Sequence, residues 1–91
     1  MALTTANIPG MTVTQYTDAV RLSYRDRHFK VIIGQSGDDQ PNWGAEVIEV
    51  LEGELAEWDN AEFDYATADR ALWAAQDAIR QTVDDDADDR R

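Results

Sequence analysis

Between Glu46 and Trp58 the chain reads EVIEVLEGELAEW, five acids threaded through Val, Ile, Leu and Trp with no base among them. An element with this pattern must be amphipathic, because its apolar residues need a core and its carboxylates need water. On a helical wheel Trp43, Val47, Ile48, Val50, Leu51, Leu55 and Trp58 gather on one side with most acids opposite, which favours a helix. The β-branched cluster Val47, Ile48 and Val50, with Gly53 inside Leu51-Glu52-Gly53-Glu54, favours two strands and a tight turn. In that hairpin Val50 would face Leu55 and Val47 would face Trp58. Glu46 would face Asp59, an unfavourable like-charge pair. The residues alone leave both forms open.

The flanking segments are plainer. Val20, Leu22 and Tyr24 alternate with Arg21 and Ser23, and Phe29, Val31 and Ile33 alternate with His28 and Lys30. Both runs have the period of two of half-buried strands, joined through Arg25-Asp26-Arg27. Val13, Tyr16, Val20 and Tyr24 also suit a helical spacing, so the first strand is the weaker pattern. GQSGDDQPN, residues 34–42, is dense in turn formers and predicts a loop. Thr67 can cap a helix over 67–82, with Asp69 in its first turn. Ala68, Ala71, Leu72, Ala75, Ala78, Ile79 and Val83 form its apolar stripe. The many alanines imply close packing against a sheet. Residues 1–11 are expected as a flexible arm, 12–83 as the single domain and 84–91 as a disordered acidic tail.

Charge is unevenly spread over the 91 residues, whose net charge is −11. Residues 1–37 hold Arg21, Arg25, Arg27 and Lys30 against Asp18 and Asp26, whereas residues 38–64 hold ten acids and no base. Such a field opposes direct contact with nucleic acid or an anionic membrane, and points to a basic partner. No apolar run is long enough to span a bilayer, and MALTTANIPGMTV lacks the features of a signal peptide, which predicts a cytoplasmic protein.

HFKVIIGQ, the polar loop, WGAEV, a glycine turn and then TADRALWAAQDAI together resemble the small HicB-like domains. That resemblance covers residues 28–80 and implies an antiparallel sheet backed by one helix, which moves the expectation for residues 46–58 toward strands. It also implies an antitoxin or regulatory role that neutralises a small toxin. The size and acidity are similar to those of phage anti-defence proteins, including anti-CRISPR and anti-restriction inhibitors. The fold expected is therefore α+β, a three- to four-stranded antiparallel sheet packed against one C-terminal α-helix.

Catalytic chemistry finds little footing. The chain has no cysteine, one histidine and no Gly-rich phosphate loop with its lysine. His28 reads as a half-exposed sheet residue, and the Asp84–Asp89 run lacks the glycine and terminal glutamate of a calcium loop. A non-enzymatic protein is expected, with no catalytic or metal residues and no cofactor. Its acids have two plain readings, a solvated sheet face, or adaptation to high salt or simply GC-rich coding. The functional reading is a binding surface made by Glu46, Glu49, Glu52, Glu54, Glu57, Asp59, Glu62 and Asp64. Phosphates recur along one DNA strand at about the spacing of alternate strand residues, roughly 7 Å, so such acids could imitate a nucleic-acid backbone. Trp73, off the Ala/Leu/Ile stripe and beside Arg70, Asp77 and Arg80, is a candidate anchor, with packing over a sheet edge or the N-terminal arm as its structural alternative. The expected partner is a basic protein or nucleic-acid-binding complex, and the chain itself a monomer or homodimer.

Overall fold

Alternating apolar residues build most of the molecule. The computed structural model describes residues 3–17, 19–35, 42–58 and 62–89. Among them run β1 (Met11–Gln15), β2 (Val20–Tyr24), β3 (Arg27–Gln35), β4 (Trp43–Leu51), β5 (Glu54–Glu57), β6 (Glu62–Tyr65) and α1 (Ala68–Asp89). The sheet is an antiparallel meander in the order β1-β2-β3-β4-β5, and β6 also pairs with β4. It packs against α1, so the class is α+β as expected.

The sheet is wider than the three or four strands expected. β1 and β6 are short, five and four residues, and each carries too few alternations to stand out in sequence. They are strands because neighbours supply the ladder. β4 is nine residues long, so one side of it seats β5 against Ile48–Leu51 and β6 against Trp43–Ala45. The two behave as one broken edge strand.

Residues 43–57 form a hairpin and not a helix. Val50 lies opposite Leu55, and the Trp58 N–H donates to the Val47 carbonyl at 3.0 Å. Asp59, expected opposite Glu46, lies outside the described residues. Gly53 takes φ +78°, a backbone region costly for side chains, and this lets two residues close the turn. The β2–β3 turn is equally tight but has no glycine. Arg25 and Asp26 adopt φ 50° and 65° there, held by an Arg25–Asp84 ion pair of 2.9 Å.

One sheet face meets α1. Val20, Leu22, Phe29, Val31, Ala45 and Val47 pack there against Ala71, Leu72, Ala75, Ile79 and Val83. Trp43 and Trp58 are half-buried against this core, and Trp58 meets the Phe29 ring edge-on at 5.4 Å between centroids. Thr67 caps α1 as its sequence predicts, its Oγ1 accepting from the Arg70 N–H at 3.1 Å. The helix does not stop at residue 82. It continues to Asp89, where a disordered tail was expected, because Arg25, Arg27 and Arg80 pair with Asp84 and Asp86 and relieve their repulsion.

The segment before β1, expected as a loose arm, lies along α1. Ala6 exchanges two hydrogen bonds with the Gln76 carboxamide, 2.8 and 3.1 Å. The Thr4 N–H donates to Asp69 and its carbonyl accepts from the Trp73 indole N–H, 2.9 and 2.7 Å. Leu3 makes a similar pair of bonds with the Gln15 side chain.

Candidate acidic binding surface

Strand alternation divides the acids between two faces. Glu46 and Glu57 project from the face away from α1, together with Arg21, His28, Lys30, Ile32, Ile48, Val50 and Leu55. Ile48 is nonetheless buried, because Lys30 and Glu57 flank it in register. On the same face a shallow hollow is lined by Thr12, Thr14, Arg21, Ser23, His28 and Val50. His28 lies opposite Ser23, but among the described residues no hydrogen bond joins their side chains. Arg21 instead stacks over the Tyr16 ring at 5.8 Å.

Glu49 points to the opposite side and is buried. Arg27 donates to it from Nε and Nη2, 2.7 and 2.6 Å, and from Nη1 to Asp86, 2.7 Å. The guanidinium also lies 5.7 Å from the Phe29 ring centroid. The bonds to Glu49 are the chief reason that the Arg27 pKa rises, with Asp86 adding to them against the effect of burial. The Tyr24 hydroxyl is likewise raised, first by its hydrogen bond to Asp84 and then by desolvation. Arg80 is raised chiefly by its bond to Asp77.

This ion cluster sets where the remaining acids lie. By joining Glu49 on β4 to Asp86 on α1, Arg27 brings the β4–β5 turn and the last turns of the helix to one end of the molecule. Glu52 and Glu54 sit at the turn, Glu57 follows on β5, and Asp85 stands on the helix; all four are exposed. Among the described residues none of these four makes an ion pair, whereas Asp84 and Asp86 are held by arginines. Glu62 and Asp64 lie in β6, at the other end of the same edge, with Asp64 exposed.

The eight acids singled out in sequence therefore do not form a ladder. Glu49 is consumed internally, Glu46 and Glu57 share one face, Glu52 and Glu54 form the turn, and Asp59 lies outside the described residues. Trp73 stands apart from them. It is 12 residues before Asp85, about 18 Å along the helix, and its indole N–H is occupied by Thr4. The residue is 39% exposed.

Sequence reasoning missed Asp85 as a surface residue and Arg27 as the group that assembles this end. One signal was present. Val83 and Ala87 continue the apolar spacing of Ile79 by fours, and both line a hollow with Arg25, Arg27 and Asp86.

Among the described residues no three His, Asp or Glu side chains are grouped to hold a metal ion, and no helix is long and apolar enough to cross a membrane. No family model, curated protein or solved structure matches the chain.

Proposed function

We propose that this protein is a small binding module, an inhibitor, that occupies a basic, nucleic-acid-binding surface of a partner protein with its acidic end. The observation that carries the reading is the convergence of two separate acidic runs, the β4–β5 turn and the C-terminal part of α1, at one pole. Uncompensated carboxylates held on a rigid hairpin and helix raise the local negative potential, steer a basic partner and lose little entropy on docking. Because the acids gather at one end from a turn, a strand and a helix and not in a row at strand spacing, they compete for a basic site by charge, without copying a regular phosphate backbone. A toxin with a basic surface is the same class of target, which is how the antitoxin-type alternative enters.

Capture with the tagged chain, followed by a competition assay, tests this. The captured protein's binding to a nucleic-acid duplex is measured with and without the chain, over a range of sodium chloride. The chain is expected to displace the duplex, and less effectively as salt rises. Replacing Glu52, Glu54 and Glu57 with Gln and Asp85 with Asn should weaken capture by about tenfold or more and flatten its salt dependence. Equal capture by the substituted chain with an unchanged salt slope would sink the proposal.

A further inference from the structure

The two edges of the sheet are built differently. The β5–β6 edge carries Glu54, Glu57, Glu62 and Asp64 among the eight residues of its two strands. A second copy brought alongside would set carboxylate against carboxylate, so this edge is closed to pairing by like charge. The β1 edge reads Met11-Thr12-Val13-Thr14-Gln15, with no charge, no proline and three β-branched residues.

β1 pairs with β2 on one side only. Beyond that ladder, the backbone–backbone hydrogen bonds of β1 among the described residues reduce to one, from the Met11 N–H to the Ile8 carbonyl. The segment 3–8 does not cap this edge with its own backbone. It bonds instead to side chains, of Gln15 on the edge and of Asp69, Trp73 and Gln76 on the helix. Among the described residues no other backbone group meets the outward-facing N–H and C=O groups of β1, and the strand has no charge, proline or bulge to discourage pairing.

The occupant follows from charge and symmetry. The whole chain carries −11, yet residues 1–37 carry more bases than acids, and the strand order puts β1 at the far edge from β5 and β6. Two such molecules repel least where β1 meets β1. We propose that the protein forms a two-fold dimer by antiparallel pairing of β1 with β1 of a second copy, centred on Val13, making one continuous sheet. In that register Val13 faces Val13, Thr12 of one copy faces Thr14 of the other, and Met11 faces Gln15. Thr–Thr pairs are favourable cross-strand neighbours, and an isologous contact closes on itself. The acidic β5–β6 edges then lie on the two outer sides, and the antiparallel pairing points the two acidic ends in opposite directions. A five-residue edge is small, so the dissociation constant belongs in the range of roughly 10–100 µM.

Sedimentation of the full chain from about 5 to 500 µM, spanning that constant, tests the proposal. A monomer–dimer equilibrium is expected, tightening as salt screens the repulsion between copies, opposite in sign to the salt dependence of partner capture. The double substitution Thr12→Lys and Thr14→Lys lowers the net negative charge, so relief of general repulsion alone would tighten any dimer. Edge pairing predicts the reverse, a loss of dimer by tenfold or more, because the new ammonium groups face each other across the two-fold axis. Leu55→Lys, on the open sheet face, should leave the equilibrium unchanged. Amide exchange read on the wild type should slow at Val13 and Gln15, whose N–H groups face away from β2, as concentration rises. A chain that stays monomeric throughout overturns the proposal. So does a folded Thr12→Lys/Thr14→Lys variant that still dimerises, or a dimer dissociated by Leu55→Lys. None of these outcomes depends on a partner, so failure here leaves the acidic-end proposal standing.

Discussion

Arg27 is the residue on which the acidic end depends. Three of its donors are engaged, two on Glu49 and one on Asp86, and a bidentate fork is geometry that a lysine cannot reproduce. Glu49 sits on the core-facing side of β4 at 8% exposure, opposite Phe29. A carboxylate there is tolerated only because its oxygens are satisfied, and among the described residues no other cation reaches it. Arg27→Ala is therefore expected to destabilise the fold by about 3 kcal/mol, since it leaves a largely buried charge unpaired. Arg27→Ala combined with Glu49→Leu removes both charges and should recover much of that loss. Chemical denaturation of the two variants checks this, and a double variant no better than the single would show that the pair is not the source of the effect. The raised pKa of Arg27 works in the same direction. Its contribution to stability is fully present below the ordinary arginine value and is lost only as pH rises through the higher folded value, beyond ordinary working conditions.

At the level of elements, the helix and the N-terminal segment complete the second layer together. α1 packs on β3, β4 and β6, while the segment 3–8, with Leu3 and Ile8 half-buried, runs beside the helix toward β1. Gln76 fastens the two. It is fully buried inside an otherwise apolar stripe, and its carboxamide binds the N–H and C=O of Ala6 as a strand would. Gln76→Leu keeps the volume but strands both backbone groups, with an expected loss of about 2 kcal/mol. The same change should release Thr4 from Trp73 and shift indole emission to the red. Trp73→Phe in that background isolates the signal, and an unshifted spectrum would mean that Asp69 and Trp73 hold the segment without Gln76. How far these elements could be read beforehand follows from the physics that forms each one. β2, β3 and the cap at Thr67 rest on local alternation and local hydrogen bonding, and both are visible in a short window of sequence. The 46–58 stretch satisfied two periodicities at once. Only pairing to β3, which puts Val47 opposite Val31, decides for strands. The attachment of residues 3–8 and the extension of α1 past Val83 rest on partners some 60 to 70 residues away, Asp84 with Tyr24 and Arg25, Ala6 with Gln76. No window of sequence displays contacts of that range. The acidic surface was legible as composition and illegible as geometry, because which acids are consumed depends on Arg27.

For the whole molecule, the balance between repulsion and pairing decides how stability responds to salt. Of the ion pairs among the described residues, Arg27–Glu49 is the most buried, while the links to Asp77, Asp84 and Asp86 involve half-exposed side chains. Exposed pairs contribute roughly 0–1 kcal/mol each and are partly screened. Against them stands the self-repulsion of a chain with 19 acids and 8 bases, concentrated at one pole where turn and helix end meet. The screening length falls from about 30 Å at 0.01 M salt to about 10 Å at 0.1 M, so added salt weakens the pole's long-range repulsion more than it weakens a bidentate, buried contact at 2.6–2.7 Å. Stability should therefore rise with sodium chloride. An increase of about 1 kcal/mol between 0.01 and 0.5 M corresponds to a melting temperature higher by roughly 4–8 °C for a domain of this size. Replacing Glu52, Glu54 and Glu57 with Gln and Asp85 with Asn should raise the melting temperature at low salt and shrink the salt-dependent gain, because the same repulsion is removed covalently. Thermal melts of both proteins across that range, at a protein concentration well below the dimer's dissociation constant so that the chain stays monomeric at every salt, decide the matter. A melting temperature that falls with salt would mean that the ion pairs outweigh the repulsion, and that the acidic pole is a set of internal contacts and not a surface held open for a partner.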